Sequence, residues 1–428
     1  MEKKKFGLLL TIILFVVVVV GVIIFLFTKS ATVSDKSKVV NIKHWVWLDN
    51  PNDPTYKDMI DEFNSTHPGI HVEMELIAWK DMRTKLLTAA VGGGLPDSSG
   101  FKLSWVPEFV GSDALEPLDS YIDSWQGKSD IVDNLWDVFS VTNDNKHYAM
   151  PWEVQVQYVY YRPSLFKKAG VEIPKTWDEF VDVAKKLTVD KDGDGIIDQY
   201  GFGLRGGRYG HESWMGFVFS GVAGDHKLMS DDGKALFYTP DVVAANQLYL
   251  DLYRKYNVVP RTAPMDSFAE IIANFKSGKT AMTIHHSKSS KDMIETFGDD
   301  VAVFPMPAGK YGNWTLLTDT TNVVYKPSKN KKEAFTFISW LSEKEQNDRW
   351  CRVIANVPIC KSVQELDYYR NNRFMKVSFD SLSFARMSPI CEAMGEWAEV
   401  LWPATTQQAL EGKISSDEMI KTLAEGLE

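Results

Sequence analysis

Cysteine is scarce in this chain, with only Cys351, Cys360 and Cys391 among 428 residues. Their number and irregular spacing exclude a disulfide framework and a zinc site. In an oxidising compartment one pair could bridge and leave the third free, and the spacing does not choose the pair. No cysteine precedes Cys351, so an N-terminal lipid anchor on cysteine is excluded. Positive charge is also short: 47 Lys and Arg stand against 57 Asp and Glu, a net charge of −10. The basic run Lys329-Asn330-Lys331-Lys332 reads as a solvated loop, so no basic face is offered to a nucleic-acid backbone. There is no G-x-S-x-G, no H-E-x-x-H and no P-loop, which removes the commonest catalytic signatures. No fixed-period repeat occurs, which argues against solenoids and propellers.

What is present suits a globular protein too long for one small core, with 44% apolar and 24% charged residues, and two lobes are expected. The 14 tryptophans are the compositional anomaly. Indole suits places where a flat apolar face must meet a ligand with polar edges.

The N-terminus begins Met1-Glu2-Lys3-Lys4-Lys5 and continues without charge from Phe6 to Phe27. That stretch is long enough to span a bilayer core of about 30 Å as a helix, and the preceding lysines place the chain beyond Lys29 outside. Its length and the flank Thr28-Lys29-Ser30-Ala31 favour a retained anchor over a cleaved signal. Residues 1–29 are therefore expected to be the membrane segment and 30–38 a flexible linker.

From Val39 the chain reads as α/β. Val40 to Trp47 alternates as a strand, Tyr56 to Phe63 has helical spacing, and Ile70 to Leu76 alternates again after Pro68-Gly69, a βαβ unit with a parallel sheet. The pattern predicts a helix from Asp81 to Val91 that ends at Gly92-Gly93-Gly94. A strand is expected next over Val154 to Tyr161, then a Thr176-capped helix to Leu187. A strand is expected over Thr280 to His285 and another stretch over Thr320 to Lys326. The remainder is mainly helical: Lys331 to Leu341, Gln346 to Val353, Glu392 to Leu401 and Ser416 to Leu427.

Several segments, in order, resemble a known family. They are Gly94-Leu95-Pro96-Asp97, Tyr148-Ala149-Met150-Pro151, Tyr160 to Gly170 with Pro174 to Phe180, Phe275 to Met282 (F-x-x-G-x-x-A-M), and Phe304-Pro305-Met306-Pro307-Ala308-Gly309. Together they resemble the carbohydrate-binding branch of ABC-importer solute-binding proteins, the group that includes maltose-binding protein. Two departures bear on the ligand: Arg162 stands where many relatives carry Asn, and His285-His286 where Gly and Trp are frequent.

The resemblance implies an α/β, two-lobed periplasmic-binding-protein-like fold (type II) with an inter-lobe hinge and ligand cleft, here preceded by an N-terminal transmembrane helix. Lobe I is expected at 39–152 and 301–327, lobe II at 153–300 and 328–428, with hinges near Met150 to Glu153, Ala302 to Pro305 and Tyr325 to Ser328. It implies a non-enzymatic subunit that captures a carbohydrate, oligosaccharide rather than monosaccharide, and delivers it to the permease subunits of an ABC transporter. The protein would act as a monomer on the outer face of the cytoplasmic membrane, or extracellularly or in the periplasm if the N-terminal segment is cleaved. No cofactor is required.

A sugar site needs aromatic planes for C–H faces and planar polar groups for hydroxyls. Trp47 and Asp49 close the first strand, and Trp79 comes after the second. Phe101, Lys102 and Trp105 lie in the loop that contributes contacts in relatives. His211, Glu212 and Trp214 occupy the place where relatives supply a stacking aromatic, as does Trp397 late in the chain. Glu153 sits beside the first hinge, and His285 and His286 lie beyond the A-M strand. For each aromatic and histidine, packing in the core is the competing reading.

One motif is independent of the resemblance. Asp190, Asp192, Asp194, Ile196 (through its carbonyl) and Asp198 fit positions 1, 3, 5, 7 and 9 of an EF-hand-like loop, with Gly195 at position 6 and Gly201 where a bidentate Glu would stand. A structural Ca2+ is the expectation there. The rival functional classes are a secreted or membrane-anchored glycoside hydrolase, which needs two carboxylates about 5–9.5 Å apart, and a sensor or adhesin on the same fold.

Overall fold

The computed structural model describes residues 39–428 apart from Asp49, Val141, Asn143, Asp225, His226, Asp231, Asp232, Ala355 and Ile390. The expected membrane segment and linker lie outside the described residues, as does Asp49. Among the described residues no helix is long and apolar enough to cross a membrane.

Among the described residues the strands are β1 Val40–Val46, β2 Ile70–Leu76, β3 Ser98–Phe101, β4 Ala149–Tyr161, β5 Tyr200–Gly203, β6 Thr280–His286, β7 Ala302–Phe304, β8 Thr315–Val324 and β9 Ala385–Arg386. The main path runs β2-β1-β3-β8-β4-β6-β5, with β7 added to β4 and β9 to β8. β1 pairs in parallel with β2 and β3, as a βαβ unit requires. β4 joins the two halves. Its first part, Ala149 to Val156, lies antiparallel to β8 from Val323 to Leu317. Its second part, Gln157 to Tyr161, lies antiparallel to β6 from His286 to Met282. Each lobe thus has its own sheet, and the two long antiparallel strands β4 and β8 are shared between them.

Local chemistry explains several helices. Thr176 accepts from the Glu179 amide (3.2 Å) and caps helix Trp177–Lys186, whose Trp177, Phe180, Val181 and Ala184 are buried. Ser267 with Glu270 and Ser415 with Glu418 form capping boxes on helices Phe268–Lys276 and Ser416–Glu425. Helix Trp79–Gly92 ends with Gly93 left-handed at φ 75°.

Two lobe assignments are corrected. Helix Lys331–Leu341, expected in the second lobe, packs on the first: Phe335, Phe337, Ile338, Trp340 and Leu341 share a core with Ile42, Val46, Tyr56 and Phe63. The next segment does the same, with Cys351, Val357, Ile359, Cys360 and Tyr369 in the core that holds Trp47 and Trp105. Their apolar faces meet the first sheet; the chain returns to the second lobe at helix Arg373–Leu382, where Phe374 is buried with Tyr158, Tyr160, Ile271 and Phe275, and from Met394 it joins that lobe's main core. Conversely, residues 301–314 belong with the second lobe, because β7 pairs with the second part of β4 and Phe304, Met306 and Trp314 are buried there.

Candidate functional site

The shared strands form the floor between the lobes. Glu153, Gln155 and Gln157 alternate along β4 and are all buried, and across from them on β8 stand Thr320 opposite Glu153 and Thr318 opposite Gln155. A polar stripe inside a strand is costly unless partners meet it. Glu153 is met in full: its carboxylate accepts from Lys288 (3.1 Å), Trp350 Nε1 (2.8 Å), Asn356 Nδ2 (2.7 Å) and Gln155 Nε2 (3.2 Å). Gln157 is not, since among the described residues neither end of its side-chain amide has a partner.

Above this floor the first lobe contributes an aromatic cluster. Trp79, the first residue of its helix, stacks on Trp105 at 5.5 Å and 14° and lies 4.9 Å from Trp47. Lys102 places Nζ 5.6 Å over the Trp79 ring and donates to the Asp319 carbonyl. The second lobe answers with the loop after β5. Arg205 is buried, its Nη1 is 3.5 Å from Glu212 and its Nη2 donates to the Arg208 carbonyl (2.8 Å), while Nε has no partner. Gly210 is required here, because a Cβ would stand 2.1 Å from the Arg205 carbonyl. Tyr209 adopts φ 59°, a left-handed conformation that a tyrosine rarely takes. The strained turn presents its ring to Trp79 of the other lobe at 5.0 Å.

Three chambers run along the cleft. One of about 30 Å³ is lined by Trp79, Lys102, Trp105, Tyr209, His211 and Glu212. The next, about 40 Å³, shares Trp79, Lys102 and Glu212 and adds Trp47, Gln155, Arg205 and His286. A third of about 300 Å³ shares Phe268 and Lys288 with it and opens between Asp53, Lys291 and Trp350.

The lobes touch across this line. Lys291 pairs with Asp53 at 2.8 Å. Glu399 of the second lobe accepts from Arg208 (2.8 Å) and the Tyr209 hydroxyl and lies 3.7 Å from Arg83 of the first, which is also fixed by Glu108. Glu399 sits in a π-helical turn, Trp397–Leu401, the kind of insertion that re-aims a side chain at functional sites. Glu399→Ala removes the cross-lobe ion pair to Arg83 and is expected to favour the open form by about 1 kcal/mol, read as a larger radius of gyration by small-angle scattering.

The structure brings together Trp47, Trp79, Lys102, Trp105, His211 and Glu212 of the residues expected from sequence. Others it does not. Phe101 is fully buried, edge-on to Trp105 and Phe109. Trp214 is core, its indole N–H donating to Asn246 (2.8 Å), and Trp397 is core, donating to the Leu423 carbonyl (2.8 Å). With both faces covered and the polar edge satisfied, neither presents anything to the cleft. His285 is buried with Ser289 at Nδ1 (2.8 Å), while its neighbour His286 takes the chamber side, as strand alternation dictates. Glu153 acts beneath the chambers. Residues that sequence reasoning missed are Gln155, Arg205, Tyr209, Phe268 and Lys288, whereas His286 is a candidate it named beside His285. The alternation Glu153-x-Gln155-x-Gln157 was a usable signal.

The acidic loop stands apart from the cleft. Carboxylate oxygens of Asp190, Asp192 and Asp194 lie within 4.8 Å of one another. Asp190 already accepts from the Gly193 and Gly195 amides, Asp194 from Ile196, and Asp198 from Lys191. Gly201 at the twelfth position could carry no side chain, since a Cβ would meet the Ala184 carbonyl at 2.0 Å.

Two buried histidines, His211 beside the cleft and His44 in the first-lobe core, set a pH dependence. Burial, then Arg205 and Lys102, lowers His211 from 6.5 to about 3, and burial lowers His44 likewise, where Ser98 and Tyr56 (both 2.9 Å) hold its two nitrogens. Both are neutral when folded and regain ordinary affinity for protons when unfolded. Their stabilisation is complete above the unfolded value and lost as pH falls through the interval from 6.5 to about 3. The pair should account for about 3 kcal/mol of lost stability between pH 7.5 and about pH 5.5, measured by urea unfolding across that range.

Two α/β lobes joined by shared strands, with aromatic and charged groups converging from both sides, define a hinged binding protein with its ligand site between the lobes. The chain belongs to the bacterial extracellular solute-binding protein family, whose sequence model matches residues 49–348. It is 23% identical over 371 residues to the multiple sugar-binding protein of Streptococcus mutans, covering 85% of this chain and 84% of that one. Its structure is similar to an ABC transporter solute-binding protein of Thermotoga lettingae bound with alpha-D-tagatose (TM-score 0.81, 26% identity, 91% of this chain and 98% of that one). It shares its fold with the maltotriose-binding protein of Thermus thermophilus (TM-score 0.76, 21% identity, 90% and 98% covered).

Proposed function

We propose that the protein is the extracytoplasmic capture subunit of an ABC-type sugar importer, held at the outer face of the membrane by its N-terminal segment. The observation that carries this is the cleft itself. Trp47, Trp79, Trp105 and Tyr209 supply apolar planes, and Lys102, Arg205, Glu212 and Gln155 supply hydrogen-bonding groups around the same small chambers. A sugar ring has that mixture of apolar faces and hydroxyl edges. The likeness to the sugar-bound Thermotoga protein supports it. The chamber of about 40 Å³ shares Phe268 and Lys288 with the one of about 300 Å³, which favours an oligosaccharide.

Capture works by lobe closure. Ligand touching both lobes stabilises the closed form, because only there are both sets of contacts made. Closed lobes then present one surface to a membrane permease. No chemistry is asked of the cleft: binding, orientation and release suffice. Isothermal titration of the full-length protein with mono- and oligosaccharides should give saturable binding without turnover, and small-angle scattering should show compaction at saturation. Unchanged scattering with bound sugar would count against closure.

A further inference from the structure

We infer that the sugar captured in this cleft carries a carboxylate, as a uronate or an oligosaccharide that ends in one. This rests on the sugar-capture reading above and narrows it. The central chamber is faced by Lys102, Arg205 and Lys288 but by a single carboxylate, that of Glu212. Lys288 is answered from below by buried Glu153. Arg205 meets Glu212 at 3.5 Å, which leaves Lys102 as the cation in surplus.

Lys102 gives its ammonium to a backbone carbonyl, and among the described residues no carboxylate lies within 4.0 Å of Nζ. The acid on that same residue, Asp319, spends Oδ2 on the Leu103 amide (2.9 Å), and burial pushes its carboxyl up although the Lys102 charge pulls it back down. Arg205 is 5% exposed, reaches Glu212 only at 3.5 Å and leaves Nε without a partner. The positive field is felt by a neighbour: after burial, Arg205 and then Lys102 are what depress His211.

A cation taken out of water and left unpaired is costly, and its partner must bring charge. The hydroxyls of a neutral sugar can accept from Lys102 and Arg205, yet would leave the surplus charge enclosed. A carboxylate on the sugar ring supplies both the acceptors and the counter-charge, and a guanidinium binds it through charge-assisted hydrogen bonds. The flanking indoles remain free to take the ring face. Glu212, on the opposite side of the guanidinium, holds Arg205 in place.

The test is titration calorimetry of the full-length protein with glucuronate, galacturonate, mannuronate and their short oligomers, each paired with the neutral hexose counterpart. The preferred uronate should bind at least about tenfold more tightly than its neutral partner, with an affinity that weakens as salt is raised. Lys102→Met should weaken both sugars, because both use its ammonium, but should weaken the uronate more and so reduce that ratio to about threefold or less. If a neutral sugar binds as tightly as its uronate or more so, the carboxylate inference falls and sugar capture stands. If sugars of neither kind produce heat, the capture reading falls and takes this one with it.

Discussion

Glu153→Ala is expected to lower the unfolding free energy by about 3–5 kcal/mol, because it removes the counter-charge that Glu153 gives buried Lys288 and orphans three further donors. Glu153 is fully buried, and its four partners come from three places: Gln155 on the same strand, Lys288 after β6, and Trp350 and Asn356 from the segment packed on the first lobe. Removing the carboxylate leaves Lys288, only 6% exposed at its side chain, without that counter-charge. Glu153→Gln keeps acceptor capacity but not charge and should fall between the two. Urea unfolding followed by far-UV dichroism measures this. A loss below about 1 kcal/mol for the alanine variant would mean that the hub is better hydrated than its burial indicates.

The largest effect on binding is expected at Trp79. Its indole lines both small chambers, stacks on Trp105 and meets Tyr209 across the cleft. Truncation removes the one plane that both lobes share with the ligand space, so Trp79→Ala should raise the sugar Kd by at least about thirtyfold, near 2 kcal/mol. Trp214→Phe makes the contrast. Trp214 donates to Asn246 inside the second lobe, so its loss should cost stability and leave affinity nearly unchanged. Titration of the two variants side by side separates a cleft residue from a core residue, and equal losses of affinity would contradict the placement.

That contrast shows where sequence reasoning reached and where it stopped. Strands and helices set by local period were legible: β2 has the predicted bounds Ile70 to Leu76, helix Lys331–Leu341 was expected over the same residues, and Thr176 caps as its hydroxyl suggests. Which sheet a helix covers was not legible. An apolar stripe such as Phe335 to Leu341 says only that something covers it.

The site shows the same division. Aromatic residues beside polar ones marked Trp79 and Trp105 correctly, but the same local signal marked Trp214 and Trp397, whose indole partners lie 32 and 26 residues away. Arg205 and Tyr209 were missed because one arginine and one tyrosine in a glycine-rich turn have no periodicity. Their roles come from a left-handed backbone at Tyr209 and from contacts across the cleft, which only the tertiary structure supplies.

The central claim is that ligand is held between the lobes by groups from both. It is tested most directly by titrating the full-length protein with a sugar panel and repeating the best ligand against Trp79→Ala of the first lobe and Arg205→Ala of the second. The expected result is single-site binding that either substitution alone weakens by at least about tenfold, with no release of reducing ends. Affinity that survives both substitutions, or sugar that is cleaved, would contradict it.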